Sequence, residues 1–220
     1  MVREQLNRRR HWIVDLDIKS YFDTIDHKLL MIRVCRRISD RRIQKLLRQW
    51  LEAGVMEEGT IRKATTGSPQ GGVVSPLLAN ILLHSLDLIW EKRCSELGKL
   101  IRYVDDMVIL CETKEKAEES LRRIGLILEH LGLGINAQKT RIVHVGDGKA
   151  GFDFLGFHFR KVESWRYRGR RYAQMWPGQK AMKAIRGRIK EITSPRWKLA
   201  QGISKIVKEL NPVIRGWGNY

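Results

Sequence analysis

Eleven residues near the middle of the chain, Leu100 to Leu110, constrain the fold more than any others. Two short apolar runs, Leu100-Ile-Arg-Tyr-Val and Met107-Val-Ile-Leu, flank the pair Asp105-Asp106. Runs of this length rich in Ile, Val and Tyr read as strands, and the acidic pair between them reads as the turn of a hairpin. By itself an Asp-Asp turn is usually a solvated hairpin tip. A third acid in equally apolar company changes that reading. From Trp12 to Ile18 the residues alternate, with Trp12, Val14, Leu16 and Ile18 on one face of a strand and Ile13, Asp15 and Asp17 on the other. Adjacent carboxylates in a partly buried setting raise each other's pKa and oppose folding unless cations neutralise them. Hard divalent ions such as Mg2+ take carboxylate oxygens and keep positions open for phosphate oxygens. Two such ions about 4 Å apart clamp the attacking and leaving oxygens of an in-line phosphoryl transfer.

The rest of the pattern supplies helices around these strands. Asp26 reads as the N-cap of a helix through Leu29, Leu30 and Val34, and Ser39-Asp40 as the start of another carrying Ile43, Leu46, Leu47, Trp50 and Leu51. Ser75-Pro76 reads as a cap with Pro at the first helical position, leading a helix whose Leu78, Ile81, Leu82, Leu86, Ile89 and Trp90 must be buried. Ala117, Leu121, Ile124, Leu128 and Leu131 define a helix stopped by Gly132 and Gly134. Thr140 to Val145 and Phe152 to Arg160 read as strands around the turn Gly146-Asp147-Gly148. Hairpins mixed with helices on one side give the α+β class.

Charge divides the chain near residue 160. Lys and Arg number 42 against 24 Asp and Glu, a formal +18, and such an excess attracts polyanions, of which nucleic acid is the usual one. Between Arg160 and Lys198 there are 13 Lys and Arg and only two acids, Glu163 and Glu191, with Trp165, Tyr167, Tyr172, Trp176 and Trp197 interleaved. That mixture suits a phosphate backbone with stacked bases, and Arg166, Arg168, Arg170, Arg171, Lys180 and Lys183 are its candidate contacts. The stretch reads as a second module, a strand pair followed by helices from about Gly178. Cys35, Cys94 and Cys111 form no CxxC pair, which excludes a zinc framework and points to a reducing compartment. No run approaches the ~18 apolar residues of a membrane span, so no membrane partner is expected and the reading is cytoplasmic. The Arg-rich start also admits an organelle.

Five ordered segments resemble the reverse transcriptases, those encoded by group II introns in particular. Asp17-Ile-Lys-Ser-Tyr-Phe-Asp-Thr-Ile-Asp-His27 is similar to their first palm motif, and Thr66-Gly-Ser-Pro-Gln-Gly-Gly-Val-Val-Ser-Pro-Leu-Leu-Ala-Asn80 to the nucleotide-pocket motif and its helix. Arg102-Tyr-Val-Asp-Asp106 is similar to the Tyr-x-Asp-Asp hairpin. Gly132-Leu-Gly-Ile-Asn-Ala-Gln-Lys-Thr140 and Phe154-Leu-Gly-Phe157 resemble a later palm motif and the primer grip. Leu210 to Tyr220 resembles the beginning of a maturase region.

The resemblance implies a palm over residues 1–160, an antiparallel sheet with helices on one face, and a basic helical thumb with the start of a maturase region over 161–220. It implies RNA-directed DNA synthesis from an RNA template and a DNA primer, with deoxynucleoside triphosphates as substrates, two Mg2+ ions (Mn2+ being admissible) and group II intron RNA as a partner. In a bacterium that places the chain with the nucleoid. Asp17, Asp105 and Asp106 are the implied catalytic residues and metal ligands, with the Ile18 carbonyl beside them. Phe22 is the implied steric gate against a 2′-hydroxyl. Gln70, Gly71 and Lys139 are implied to bind the nucleotide, and Phe154, Leu155, Gly156 and Phe157 to hold the primer end. Asp15 matches no catalytic position, and Asp23 and Asp26 read as turn and cap residues. Two departures stand out. Val104 replaces a small residue, and of the basic fingers that precede the palm only Arg8-Arg9-Arg10 and their surroundings correspond, so the chain reads as a truncated remnant or an excised piece, or as one piece of a split protein whose fingers a separate chain supplies. The rival reading is a non-catalytic RNA-binding maturase fragment that keeps the palm as a scaffold.

Overall fold

A computed structural model describes residues 1–52, 55–57, 60–62, 67, 74–194 and 202–219. In chain order the elements are α1 (Val2–Asn7), β1 (Trp12–Leu16), α2 (Tyr21–Thr24), α3 (His27–Cys35), α4 (Arg41–Glu52), β2 (Val55–Glu57), β3 (Thr60–Arg62), α5 (Ser75–Arg93), β4 (Lys99–Tyr103) and β5 (Asp106–Cys111). They continue with α6 (Lys114–His130), β6 (Arg141–His144), β7 (Gly151–Phe154), β8 (Phe157–Glu163), β9 (Arg171–Pro177), α7 (Gln179–Thr193) and α8 (Ile203–Gly218). The class is α+β, as the pattern predicts.

The central sheet runs in the order β4-β5-β1-β6, every pair antiparallel. Its Val14, Leu16 and Ile109 face packs on Leu30 and Val34 of α3, Leu82 and Leu86 of α5, and Ile124 and Leu128 of α6. Each fully buried Leu or Ile there stabilises the fold by roughly 1.5–3 kcal/mol. The other face is also partly covered. Ile13, Val108 and Leu110 pack on Phe152, Phe154 and Phe159 of a three-stranded sheet, β7-β8-β9, and on Leu6 of α1. Helices on one face are therefore only part of the architecture. This second layer explains why Met107 to Cys111 reads as an unbroken apolar run, since all five residues are buried.

Several boundaries differ from the sequence reading. The strand expected over Phe152 to Arg160 is two strands, β7 and β8, closed by Leu155 (φ 50°) and Gly156 (φ 81°) with Phe154 opposite Phe157. Positive φ at both central residues is the primed turn that matches strand twist, and Gly takes it without strain. Apolar Leu155 at the tip hid the turn. In α5 the cap is Val74, one residue before the expected Ser75, within the usual uncertainty of helix ends. The apolar residues spaced along α4 are largely open, with Ile43, Leu46 and Trp50 exposed and Leu51 buried. Helix α1 was not foreseen; Val2 and Leu6 bury it. As expected, Asp26 caps α3, accepting from the Leu29 amide at 2.8 Å. Gly132 (φ 72°) ends α6, with the Leu133 amide donating back to the Leu128 carbonyl at 2.9 Å. The three-stranded sheet continues across residue 160, where the composition changes, and α7 begins after Gly178.

Where α1, the central sheet and the second sheet meet, buried Lys161 donates from Nζ to His11 Nε2 at 2.7 Å. Burial first, then Lys161, His144 and Arg9, push the His11 pKa below its ordinary value, and burial lowers that of Lys161. Protonated His11 loses its acceptor and sets a second cation beside the first. A base whose folded pKa is depressed keeps its full contribution above about pH 6.5 and loses it as pH falls through that value toward the folded pKa. Urea midpoints should therefore drop between pH 7.5 and 5.5, and His11→Gln, which retains an acceptor, should flatten the drop. An equally steep drop in the variant would assign the acid sensitivity elsewhere.

Candidate metal and nucleotide site

Strand register brings the acids together. Leu16 lies opposite Met107 across the β1–β5 pair, so the next residue along each strand, Asp17 and Asp106, meets at the same end of the sheet. Across β4–β5, Tyr103 pairs with Asp106, and Val104 and Asp105 form the turn between them, Val104 at φ 55°. Asp105 thus occupies the tip while Asp106 is the first strand residue. Asp17 and Asp105 line one cleft of about 690 Å3 with Ile18, Phe22 and Lys139. Burial raises the Asp106 pKa, and the charges of Asp105, Asp17 and Asp15 raise it further, with Lys139 opposing them. Negative charge has been concentrated where the sheet opens.

A loop holds Asp17 from the other side. The Asn136 amide donates to the Asp17 carbonyl at 2.9 Å, Asn136 Nδ2 to Asp17 Oδ2 at 3.1 Å, and the Asp17 amide to Thr140 Oγ1 at 3.4 Å. Lys139 Nζ sits 3.3 Å from the same Oδ2. Ile18 forms a bridge to Ile135, and the Lys19 amide donates to the Gly134 carbonyl at 2.8 Å. The segment 132–140 therefore wraps the carboxylate, which explains why it carries Asn, Lys and Thr where an ordinary loop would not need them.

The donor chemistry fits hard cations: the acids offer only oxygens, and the cleft is open to phosphate. Among the described residues no three His, Cys, Asp or Glu side chains form a closed ligand group. Asp17 Oδ2 is instead engaged by Asn136 and Lys139, and Asp17 and Asp105 share the cleft without forming such a group.

Phe22 lines the cleft from α2, behind the left-handed Ser20 (φ 44°). Its ring centroid is 5.4 Å from that of Tyr21, whose buried hydroxyl donates to the Ala79 carbonyl on α5 at 2.7 Å. Burial raises the Tyr21 pKa far above its usual value, keeping the phenol neutral as a donor. Gln70 and Gly71 lie outside the described residues. Gly67 of the same segment is described: its amide donates to the Ile25 carbonyl at 2.9 Å, and at φ 94° a Cβ would meet the Asp23 and Phe22 carbonyl oxygens at 3.0 and 3.1 Å. That close approach sets Gly67 against the backbone of Phe22.

The remaining expected residues occupy other places. Phe154 to Phe157 form the β7–β8 turn, with Phe154 buried and Leu155 exposed, and β7 lies against β5 and β6. Arg166, Arg168 and Arg170 lie in the exposed tip between β8 and β9, Arg171 starts β9, and Lys180 and Lys183 are on α7. Asp15 is tied to Arg141 at 3.1 Å and takes no part in the cleft lining. Sequence reasoning missed Arg102. Its guanidinium, with a side chain 11% exposed, reaches Asp87 Oδ1 at 2.9 Å and Oδ2 at 2.5 Å, Asn80 Oδ1 at 2.8 Å and the Val104 carbonyl at 2.8 Å. The available signal was an arginine inside an apolar strand, a position where charge requires partners.

Known proteins share this layout. The reverse transcriptase (RNA-dependent DNA polymerase) family profile matches residues 2–159, and that of the group II intron maturase-specific domain matches residues 182–220. The chain belongs to the reverse transcriptase family, in its group II intron-encoded branch. Protein YkfC of Escherichia coli is 34% identical over 87% of this chain and 56% of its own length. The group II intron-encoded protein LtrA of Lactococcus lactis is 46% identical over 34% of this chain and 13% of its own. The chain thus spans about half, or less, of these relatives. The foamy viral protease-reverse transcriptase, solved in complex with an RNA/DNA hybrid, shares the fold at a TM-score of 0.52 and 19% identity, over 93% of this chain and 21% of that one.

Proposed function

We propose that this chain performs RNA-directed DNA synthesis for a group II intron-type retroelement, adding deoxynucleotides to a primer 3′ end. The observation that carries this reading is that Asp17 and Asp105 line one cleft with Phe22 and Lys139 while Asp106 stands beside them at the same end of the sheet. Asp17, Asp105 and Asp106, with the Ile18 carbonyl, would hold two Mg2+ ions, which when bound activate the primer hydroxyl and offset charge on the leaving pyrophosphate. In this reading the exposed Lys139, now 3.3 Å from Asp17, leaves that carboxylate for the triphosphate. Gln70 and Gly71 complete the nucleotide pocket in this reading, and residues 154–157 hold the primer. The palm then spans residues 1–160 and the basic thumb 161–220, with intron RNA along the latter. A separate chain supplying fingers is a further partner this reading admits. Among the described residues no helix is long and apolar enough to cross a membrane, and the reading places the chain with the nucleoid or in an organelle.

The maturase-domain match over residues 182–220 supports a second reading, an RNA-binding splicing cofactor that does not polymerise. Primer extension on an RNA template separates the two: extension dependent on Mg2+ supports the first, and tight RNA binding without extension supports the second. Phe22 gives a finer test. Its ring lies against Tyr21, a side chain anchored to α5, so the wall it forms is rigid. Phe22→Ala should raise ribonucleotide incorporation relative to deoxynucleotide by about 10- to 100-fold, the range a steric pocket wall supplies. Unchanged sugar selection in single-nucleotide kinetics would remove Phe22 as the gate.

A further inference from the structure

The tip between β8 and β9, residues 164–170, presents two aromatic rings to solvent. Trp165 is 99% exposed and Tyr167 56%. A Trp that buries almost nothing contributes no packing to the fold, and large aromatics in that state are characteristic of binding surfaces. The tip is nevertheless ordered. The Ser164 amide donates to the Arg170 carbonyl at 2.7 Å, the Arg170 amide to the Tyr167 carbonyl at 3.1 Å, the Tyr167 amide to Ser164 Oγ at 3.1 Å and the Gly169 amide to Glu163 Oε1 at 3.1 Å. The Arg170 guanidinium lies 5.5 Å from the Tyr167 ring centroid and steadies that ring. Arg166, Arg168 and Arg170 form no ion pair among the described residues.

We propose that this tip is a wedge for unpaired RNA bases, in which Trp165 stacks on a bulged or looped-out base while Arg166 and Arg168 hold the flanking phosphates. A projecting ring has no free π-face to meet inside a continuous duplex, whereas a bulge or loop offers one. Local charge complementarity selects a polyanion over an apolar protein surface. The proposal rests on the reading of the basic stretch as an RNA contact, and it adds the structure of RNA that is read and the residue that reads it.

The test measures binding of the full chain by fluorescence anisotropy to two RNAs of equal length, a perfect duplex and the same duplex with one bulged 2-aminopurine. Wild type should favour the bulged RNA and alter the 2-aminopurine fluorescence. Trp165→Ala should weaken bulged-RNA binding about 5- to 150-fold, the value of one base–aromatic stack, with duplex affinity within twofold and the salt slope unchanged. Trp165→Phe should restore most of the loss. Equal wild-type affinity for the two RNAs, or a Trp165→Ala loss that is nil or equal on both, overturns the wedge. Neutralising Lys180 and Lys183, which lie on α7 outside the tip, tests the underlying reading separately: a shallower salt slope on both RNAs sustains it whatever Trp165 does, and an unchanged slope refutes it.

Discussion

Asp105→Ala should lower primer extension by about a thousandfold or more, while RNA affinity and its salt dependence stay as in the wild type. The size follows from the task of the residue. Removing one preorganised electrostatic contact to developing charge costs roughly 100- to 1000-fold in turnover, and in the proposed reading the variant also loses a carboxylate that would hold the ions. The selectivity follows from position. Asp105 is in the turn after Val104, on the cleft shared with Asp17, whereas the basic tip and α7 belong to other elements. The fold should survive. Asp105 contributes no apolar contact to the core, and removing it relieves the like charge that raises the Asp106 pKa. The variant should thus melt no lower than wild type without added divalent ions, and the shift in melting temperature on adding Mg2+ should shrink. Extension at the wild-type rate would end the polymerase reading, and a matching loss of RNA affinity would show that the change had disturbed more than the cleft.

The acids and their strands were legible because two local signals coincide there: period-two alternation through Asp17, and apolar runs flanking Asp105-Asp106. Their meeting in space was implied only by the family resemblance, since it depends on the pairing of β1 with β5, a long-range register that no local pattern encodes. The same limit hid the second layer. Phe152, Phe154 and Phe159 read as ordinary strand residues, and nothing local says that they cover Ile13 and Val108. The β7–β8 turn was missed for a chemical reason, because Leu155 takes a positive φ that its side chain does not advertise. Asn136 escaped as an Asp17 partner because an Asn after Gly-Ile looks like any loop residue until its amide is seen 3.1 Å from Oδ2. Lys139, singled out through its motif as a nucleotide contact, stands 3.3 Å from Asp17 Oδ2, a neighbour the motif did not name.

Arg102 yields the second large effect. Val104 at φ 55° is a β-branched residue in a conformation that favours Gly or Asn, so the turn carrying Asp105 is strained by roughly 1–3 kcal/mol. What over-determines it is the Arg102 guanidinium, which binds the Val104 carbonyl and is itself locked to Asp87 and Asn80 on α5. Arg102→Ala removes that lock, leaves Asp87 without its cation and frees the turn to relax. Loss of one partner of a buried pair costs about 3–5 kcal/mol. With Asp87 35% exposed and screened by water, about 2 kcal/mol is the expected destabilisation. Turnover should fall by more than stability alone explains, because a carboxylate displaced by even 1 Å costs about a hundredfold. Arg102→Lys keeps the charge but not the fork that reaches Asp87, Asn80 and the carbonyl together. It should recover most of the stability and little of the turnover. Primer-extension kinetics should show kcat reduced with the KM for nucleotide nearly unchanged, since Phe22 and Lys139 belong to other elements. Full recovery of kcat in Arg102→Lys would reduce Arg102 to a source of charge, and loss of stability with unimpaired kcat would leave it a brace for α5 alone.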